Sequence, residues 1–150
     1  MAAQDLVQKT KEHVAAFSAK DWNRYGAMLS DDAIYEEEAT HQRVKGRKQV
    51  VDLIKRWTVS FPDLKGTVKE TFASGDRVVV EILWDGTQKG ALSGPMGTIP
   101  PTGKHGSVPA VEVLTFDNGF ITEIRHYFDL MTILEQLGVT PRMGAAQPTP

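Results

Sequence analysis

Hydrophobic positions recur with a helical period up to Pro62 and tend to alternate from there onward. Residues 5–19 place Leu6, Val7, Val14 and Phe17 on one stripe, with Thr10 and His13 at nearby positions. Lys9, Lys11 and Glu12 fit the wet face, so the segment reads as an amphipathic helix. Asp21 is placed to cap a second short helix carrying Trp22, Tyr25, Met28 and Leu29. A short strand is expected around Ile34-Tyr35. Gly46 precedes a third helical pattern with Val50, Val51, Leu53, Ile54 and Trp57, which Pro62-Asp63 ends.

From Leu64 the stretch LKGTVKETFAS tends to alternate, Gly75-Asp76 makes a turn, and RVVVEILWDGTQ is rich in strand formers. Residues 90–109 hold enough glycine and proline to predict a long loop or a broken strand start. PAVEVLTFDNGFITEIRHYF carries the clearest hairpin signal, with Asn118-Gly119 at the turn. Asp129 then caps a last helix running to Leu137, with Gly138 beyond its end. Helices first and antiparallel strands later predict an α+β fold. The expected architecture is one domain over residues 1–138, followed by a flexible tail at 139–150. Its strongly curved sheet, with three N-terminal helices against one face and a short C-terminal helix, can enclose a cone-shaped apolar pocket.

Composition narrows the functions open to such a fold. A net charge of −2 over 150 residues gives no field to attract nucleic acid, and the short basic run Arg43 to Lys48 reads as a solvated loop and helix start. The absence of cysteine removes disulfides, thiolate metal sites and a cysteine nucleophile. The first residues lack the apolar stretch of a signal peptide, and no run approaches the ~20 apolar residues that span a membrane. A cytoplasmic protein is therefore expected. Glu36 to Glu38, with His13 or His41, fits no standard metal-ligand spacing, and no phosphate-binding glycine motif is present, so neither metal nor cofactor is expected.

Three stretches carry a family resemblance. DGTQKG at 85–90, PPTGK at 100–104 and NGFITEIRHYFDLMTILEQLG at 118–138 resemble the SnoaL-like polyketide cyclases. These lie within the wider nuclear transport factor two-like, ketosteroid isomerase-like superfamily. The resemblance covers roughly residues 5–138. It implies a cone-like α+β barrel with a pocket at one end, commonly an oligomer. It also implies cofactor-free aldol ring closure, in which an acidic side chain on the last strand removes a proton alpha to a carbonyl. Two positions depart from the family pattern: its glycine-flanked histidine is Gln88, and its inward carboxylate on the last strand falls at His126. The related limonene epoxide hydrolases share a similar strand end but need an arginine–aspartate pair on a preceding strand, and here no arginine follows Arg77 in that strand.

Pleat parity selects the candidate chemistry. Thr122, Ile124, His126 and Phe128 share one face of the last strand, and Ala110, Glu112, Leu114 and Phe116 share one face across the hairpin. If both faces turn inward, Glu112 and His126 lie together. The carboxylate would then raise the histidine's pKa and fix its tautomer, making His126 an acid–base group supported by Glu112. The competing reading is a buried polar pair that only satisfies itself. Asp129 is either a helix cap or a third catalytic group. Gln88 is a candidate donor to a substrate carbonyl, and His105 a loop residue that is either solvated or in contact with substrate. Tyr35, Trp57, Trp84 and Met96 are either core or pocket wall, with Tyr35 and Trp57 favoured because the resemblance sets their segments along the pocket. The leading expectation is a cofactor-free cyclase or isomerase acting on an apolar polyketide-like carbonyl compound. A non-catalytic binding or dimerisation module of the same fold is the alternative, and epoxide hydrolysis is third. A sheet face bearing Val79, Leu83, Val111 and Val113 would suit a homodimer or higher oligomer.

Overall fold

The computed structural model describes residues 2–95 and 97–139. Three helices, α1 (Ala3–Ser18), α2 (Trp22–Ala27) and α3 (Arg47–Ser60), precede most of the sheet. Between α2 and α3 runs a hairpin of β1 (Leu29–Glu37) and β2 (Gln42–Lys45), joined through a short 3-10 turn. There follow β3 (Lys65–Ser74), β4 (Arg77–Thr87), the short β5 (Leu92–Gly94) and β6 (Gly97–Ile99), β7 (His105–Asp117), β8 (Phe120–Phe128) and α4 (Leu130–Gln136). Six strands form one sheet in the order β2-β1-β8-β7-β4-β3, and β5 pairs with β6 apart from it. Every pair in the large sheet is antiparallel except β1 with β8, which is parallel. This is the α+β architecture expected from the hydropathy pattern.

Local chemistry accounts for most boundaries. Asp21 accepts the backbone N–H of Arg24 and starts α2, and Asp129 does the same for Met131 at α4. Asn118 and Gly119 both take positive φ, 50° and 80°, as a two-residue turn matched to strand twist requires. That turn pairs Asp117 with Phe120 and Phe116 with Ile121, and a one-residue shift beyond it brings Glu112 opposite His126. Three boundaries differ from expectation. The strand at Ile34-Tyr35 extends over nine residues because it is held on both sides, by β2 and by β8. The glycine- and proline-rich stretch contains the β5–β6 pair, and β7 already begins at His105. A bulge between Thr115 and Phe116 breaks the β7–β8 alternation, so Ile121, and not Thr122, points into the core.

The core lies between the concave face of the sheet and α1–α3. Val78, Val80, Ile82 and Trp84 of β4 alternate inward, as do Val108, Ala110, Leu114 and Phe116 of β7. Trp84 lies across β3 at Gly66, where a Cβ would come within 2.7 Å of the indole, so only glycine leaves room for the ring. Among the described residues no helix is long and apolar enough to cross a membrane. The tail expected from 139 onward lies, from residue 140, outside the described residues, as does Met96.

Candidate active site

Parallel pairing of β1 with β8 sets Glu37 opposite His126, and the β7–β8 hairpin sets Glu112 on its other side. Three ionisable residues from three adjacent strands thus form one row on the concave face. All three are buried. Tyr35 reaches the same row from two residues before Glu37, because strand residues two apart share a face.

The hydrogen bonds around His126 have one consistent direction. Trp84 Nε1 can only donate, and it lies 3.2 Å from His126 Nε2, so that nitrogen carries the lone pair. The ring proton is therefore on Nδ1, which donates to Tyr35 Oη at 2.8 Å. Tyr35 in turn donates to Glu37 Oε2 at 2.6 Å. Trp57 Nε1 donates to the same oxygen at 2.9 Å, and Thr40 Oγ1 donates to the other. The chain runs from Trp84 through His126 and Tyr35 to Glu37, whose carboxylate collects three donors.

Glu112 stands outside this chain. Its Oε2 is 3.8 Å from His126 Nδ1, whose proton is already given to Tyr35. It makes no hydrogen bond with any described residue and lines the cavity. Burial pushes its carboxyl up to about 8, and the charge on Glu37 adds to the rise. Burial pushes His126 down to about 3. The separation would suit an ion pair, but the two shifts run against it: near neutral pH the imidazole is uncharged and the carboxyl largely protonated. The expectation that Glu112 would raise the histidine's pKa is thus reversed. Both groups are buried in a largely apolar wall, and desolvation outweighs their mutual attraction.

The cavity contains about 740 Å³ of atom-free space counted out through its mouth, of which about 70 Å³ admits the centres of water-sized molecules. That is several times the ~10–15 Å³ that one water needs. Its wall is mostly aromatic and aliphatic: Phe17, Ile54, Trp57, Phe61, Trp84 and Phe128 among others. Trp57 meets Phe128 edge-on at 5.6 Å, and Phe17 meets Trp84 at 5.0 Å. No lysine or arginine is among the lining residues.

His126, Glu112, Tyr35, Trp57 and Trp84 come together at this cavity, and Asp129, Gln88 and His105 do not. Asp129 is exposed and accepts from Met131 N and Thr132 Oγ1, so its carboxylate is used as a helix cap away from the cavity. Gln88 is fully buried but faces the 90–102 loop. Its amide donates to the carbonyls of Gly90 and Pro100, and its Oε1 accepts from Thr102 N and Oγ1. It staples the loop and has no donor left for a substrate carbonyl. His105 is exposed at the rim of β7, beside Thr87 and Asp85. Met96 lies outside the described residues.

Sequence reasoning missed Glu37, His13 and Tyr25. Parity from Tyr35 could have found Glu37, because its neighbours Glu36 and Glu38 necessarily point elsewhere; Glu36 turns outward to Arg43. His13 and Tyr25 come from helices whose rotation over the sheet no local pattern specifies.

A curved sheet closed by helices over an acid-bearing apolar cavity defines the ketosteroid isomerase-like class of α+β fold, and solved structures agree. AclR from Streptomyces galilaeus, a presumed hydroxylase, is 27% identical with a TM-score of 0.80, over 95% of this chain and 86% of that one. A protein of ketosteroid isomerase-like fold from Catenulispora acidiphila, complexed with trimethylamine, is 24% identical with a TM-score of 0.75, over 87% and 92%. An LEH-like epoxide hydrolase from M. tuberculosis is 20% identical with a TM-score of 0.70, over 92% of each chain. No curated protein sequence matches the chain. Within the class, the pattern described as SnoaL-like polyketide cyclase matches residues 7–137. The chain belongs to the SnoaL-like polyketide cyclase family.

Proposed function

We propose that the protein is a cofactor-free acid–base enzyme of the cyclase or isomerase kind, acting on an uncharged, apolar carbonyl compound held in the cavity. The observation that carries this reading is the Glu112 carboxyl, free of hydrogen bonds in an apolar cavity, with its pKa near 8. A carboxylate that has lost its water is a stronger base, and one titrating near the working pH can both take and return a proton. The proton-transfer role first expected of His126 therefore passes to Glu112. The only lone pair of His126 accepts from Trp84, and burial keeps the ring neutral. Epoxide opening has less support, because no arginine lines the cavity and His126 holds the strand position where those enzymes carry a carboxylate. Cytoplasmic location is part of the proposal.

The test is exchange of the alpha protons of 2-tetralone in D2O, followed by NMR. The protein is expected to accelerate exchange, with a rate that climbs with pH and levels off above about 8. Tight binding of 2-tetralone without exchange at any pH would leave a binding module and end the enzymatic reading.

Self-association belongs to the same proposal. Val79, Val111 and Val113 lie side by side on the convex face of the sheet, each only partly buried, with exposed Phe72 and Tyr127 flanking them. A second copy covering that face would bury the patch. Sedimentation velocity at micromolar concentration is expected to show a dimer or larger species, and a monomer there removes this part.

A further inference from the structure

An enolate formed in an apolar cavity needs a hydrogen-bond donor at its oxygen, and Gln88, the donor expected from sequence, is committed elsewhere. Among the described residues the buried side-chain polar atoms without a partner are His13 Nε2 and Arg125 Nε. Tyr25 Oη has no partner either, yet it is not among these sealed atoms. Tyr25 is buried in the fold and is one of the residues that line the cavity. On the Glu37–His126 row every polar side chain except Glu112 already has a partner. Around the cavity Tyr25 Oη, Glu112 and His13 Nε2 keep hydrogen-bonding capacity to spare.

Packing holds the Tyr25 ring from three sides. His13 of α1 stacks on its face with centroids 3.8 Å apart, and Phe17 and Trp22 meet it edge-on at 6.3 Å each. Burial, with the charges of Glu112 and Glu37 adding, holds the phenol well above its ordinary pKa, so it keeps its proton wherever the protein is folded. Burial keeps His13 neutral, at about 3, so its ring presents a flat uncharged face to the phenol.

We propose that Tyr25 is a catalytic residue of the reaction described above, its Oη–H donating to the substrate's carbonyl oxygen, with His13 as the positioning residue that fixes the phenol. The inference rests on that reaction. The Glu112 carboxylate takes the alpha proton, the C–H electron pair becomes the new C=C bond, and the carbonyl π pair moves onto the oxygen that Tyr25 bonds. In ring closure the enolate carbon attacks a second carbonyl of the same molecule. One C–C bond forms, and the resulting alkoxide recovers the proton from the Glu112 carboxyl. No atom is gained or lost. The substrate class this defines is a neutral apolar dicarbonyl compound: Glu112 and Asp85 line the cavity and no lysine or arginine does, so nothing there would neutralise an anionic substrate.

Tyr25→Phe is the test, read two ways. In the 2-tetralone exchange assay kcat should fall by roughly 10²-fold with KM nearly unchanged, the size of effect when one donor to a developing oxyanion is lost. Independently of any turnover, wild-type protein should bind 2-naphthol, whose hydroxyl stands in for the enol oxygen, about tenfold more tightly than naphthalene. Tyr25→Phe should erase that preference and keep the naphthalene affinity. His13→Ala should lower kcat and the naphthol preference together, and His13→Phe, which keeps the stacked ring, should restore both. Wild-type exchange and wild-type naphthol preference in Tyr25→Phe would overturn the inference. A protein that shows the preference and loses it in the variant, but exchanges no ketone, would refute the proposed reaction and leave Tyr25 as the group that grips the oxygen.

Discussion

Glu112→Gln is expected to cut ketone exchange by ~10²–10⁴-fold, the usual value of a positioned general base, while stabilising the protein at alkaline pH. The sign follows from the proton count. The Glu112 carboxyl titrates near 8 in the folded chain, against 4.5 as its ordinary value. Between those limits the unfolded chain has released a proton that the folded chain keeps. This group's stabilisation is therefore complete below 4.5 and is lost as pH rises through 8. At about 1.4 kcal/mol per pK unit the loss totals about 5 kcal/mol. His13 and His126 act in the opposite sense. Both fall from 6.5 to about 3, so each adds stability as pH rises between those values. Two protons against one leave a net gain up to 6.5, and above it Glu112 acts alone, so the maximum lies near pH 6.5. Urea midpoints across pH 5 to 9 should show this maximum in the wild type and a flat alkaline side in Glu112→Gln. Identical alkaline slopes in the two proteins would place the carboxyl in water and remove it as the base. The base works best where the fold is weakened by its charge, as expected when an active group is kept out of solvent.

Glu37→Leu should produce the largest loss of stability, about 3–5 kcal/mol. The carboxylate accepts from buried Tyr35 and Thr40 and from half-buried Trp57. A leucine of similar bulk leaves three donors without a partner and without water. Thermal or urea unfolding measures that cost directly. The milder Glu37→Gln keeps one acceptor and removes the charge. Because that charge is the second cause of the rise at Glu112, the midpoint of the exchange rate against pH should move downward in this variant. A midpoint unchanged from wild type would show that the two carboxyl groups do not interact, and that burial alone sets the pKa of Glu112.

These two carboxyl groups also show how far local pattern reaches. Asn118 and Gly119 impose a two-residue turn, which pairs Asp117 with Phe120 and, continued unbroken, would set Glu112 opposite Arg125. The bulge between Thr115 and Phe116 shifts the register by one, and only then do Glu112 and His126 share a face. The bulge that joins the two faces was not legible without coordinates, but the turn and the alternation along each strand were. So were the caps at Asp21 and Asp129, whose side chains bond backbone two or three positions away. The resemblance over the end of the chain supplied the class of fold for the same reason: its residues form one continuous hairpin and helix.

What the sequence determined by itself was the main helices and strands, their caps, and which residues of each strand share a face, because turn geometry and pleat parity act between near neighbours. Tertiary structure alone decided the rest. The parallel β1–β8 contact carries Glu37 and Tyr35 across some ninety residues to His126, and helix packing brings His13 and Tyr25 over the cavity. Such contacts depend on closing long loops and on how whole elements rotate, which no short pattern encodes. They also set the direction of proton affinity. Enclosure by α1–α3 strips away the water that would have solvated an imidazolium and a carboxylate, so the pair is neutral and the carboxyl is left free to act.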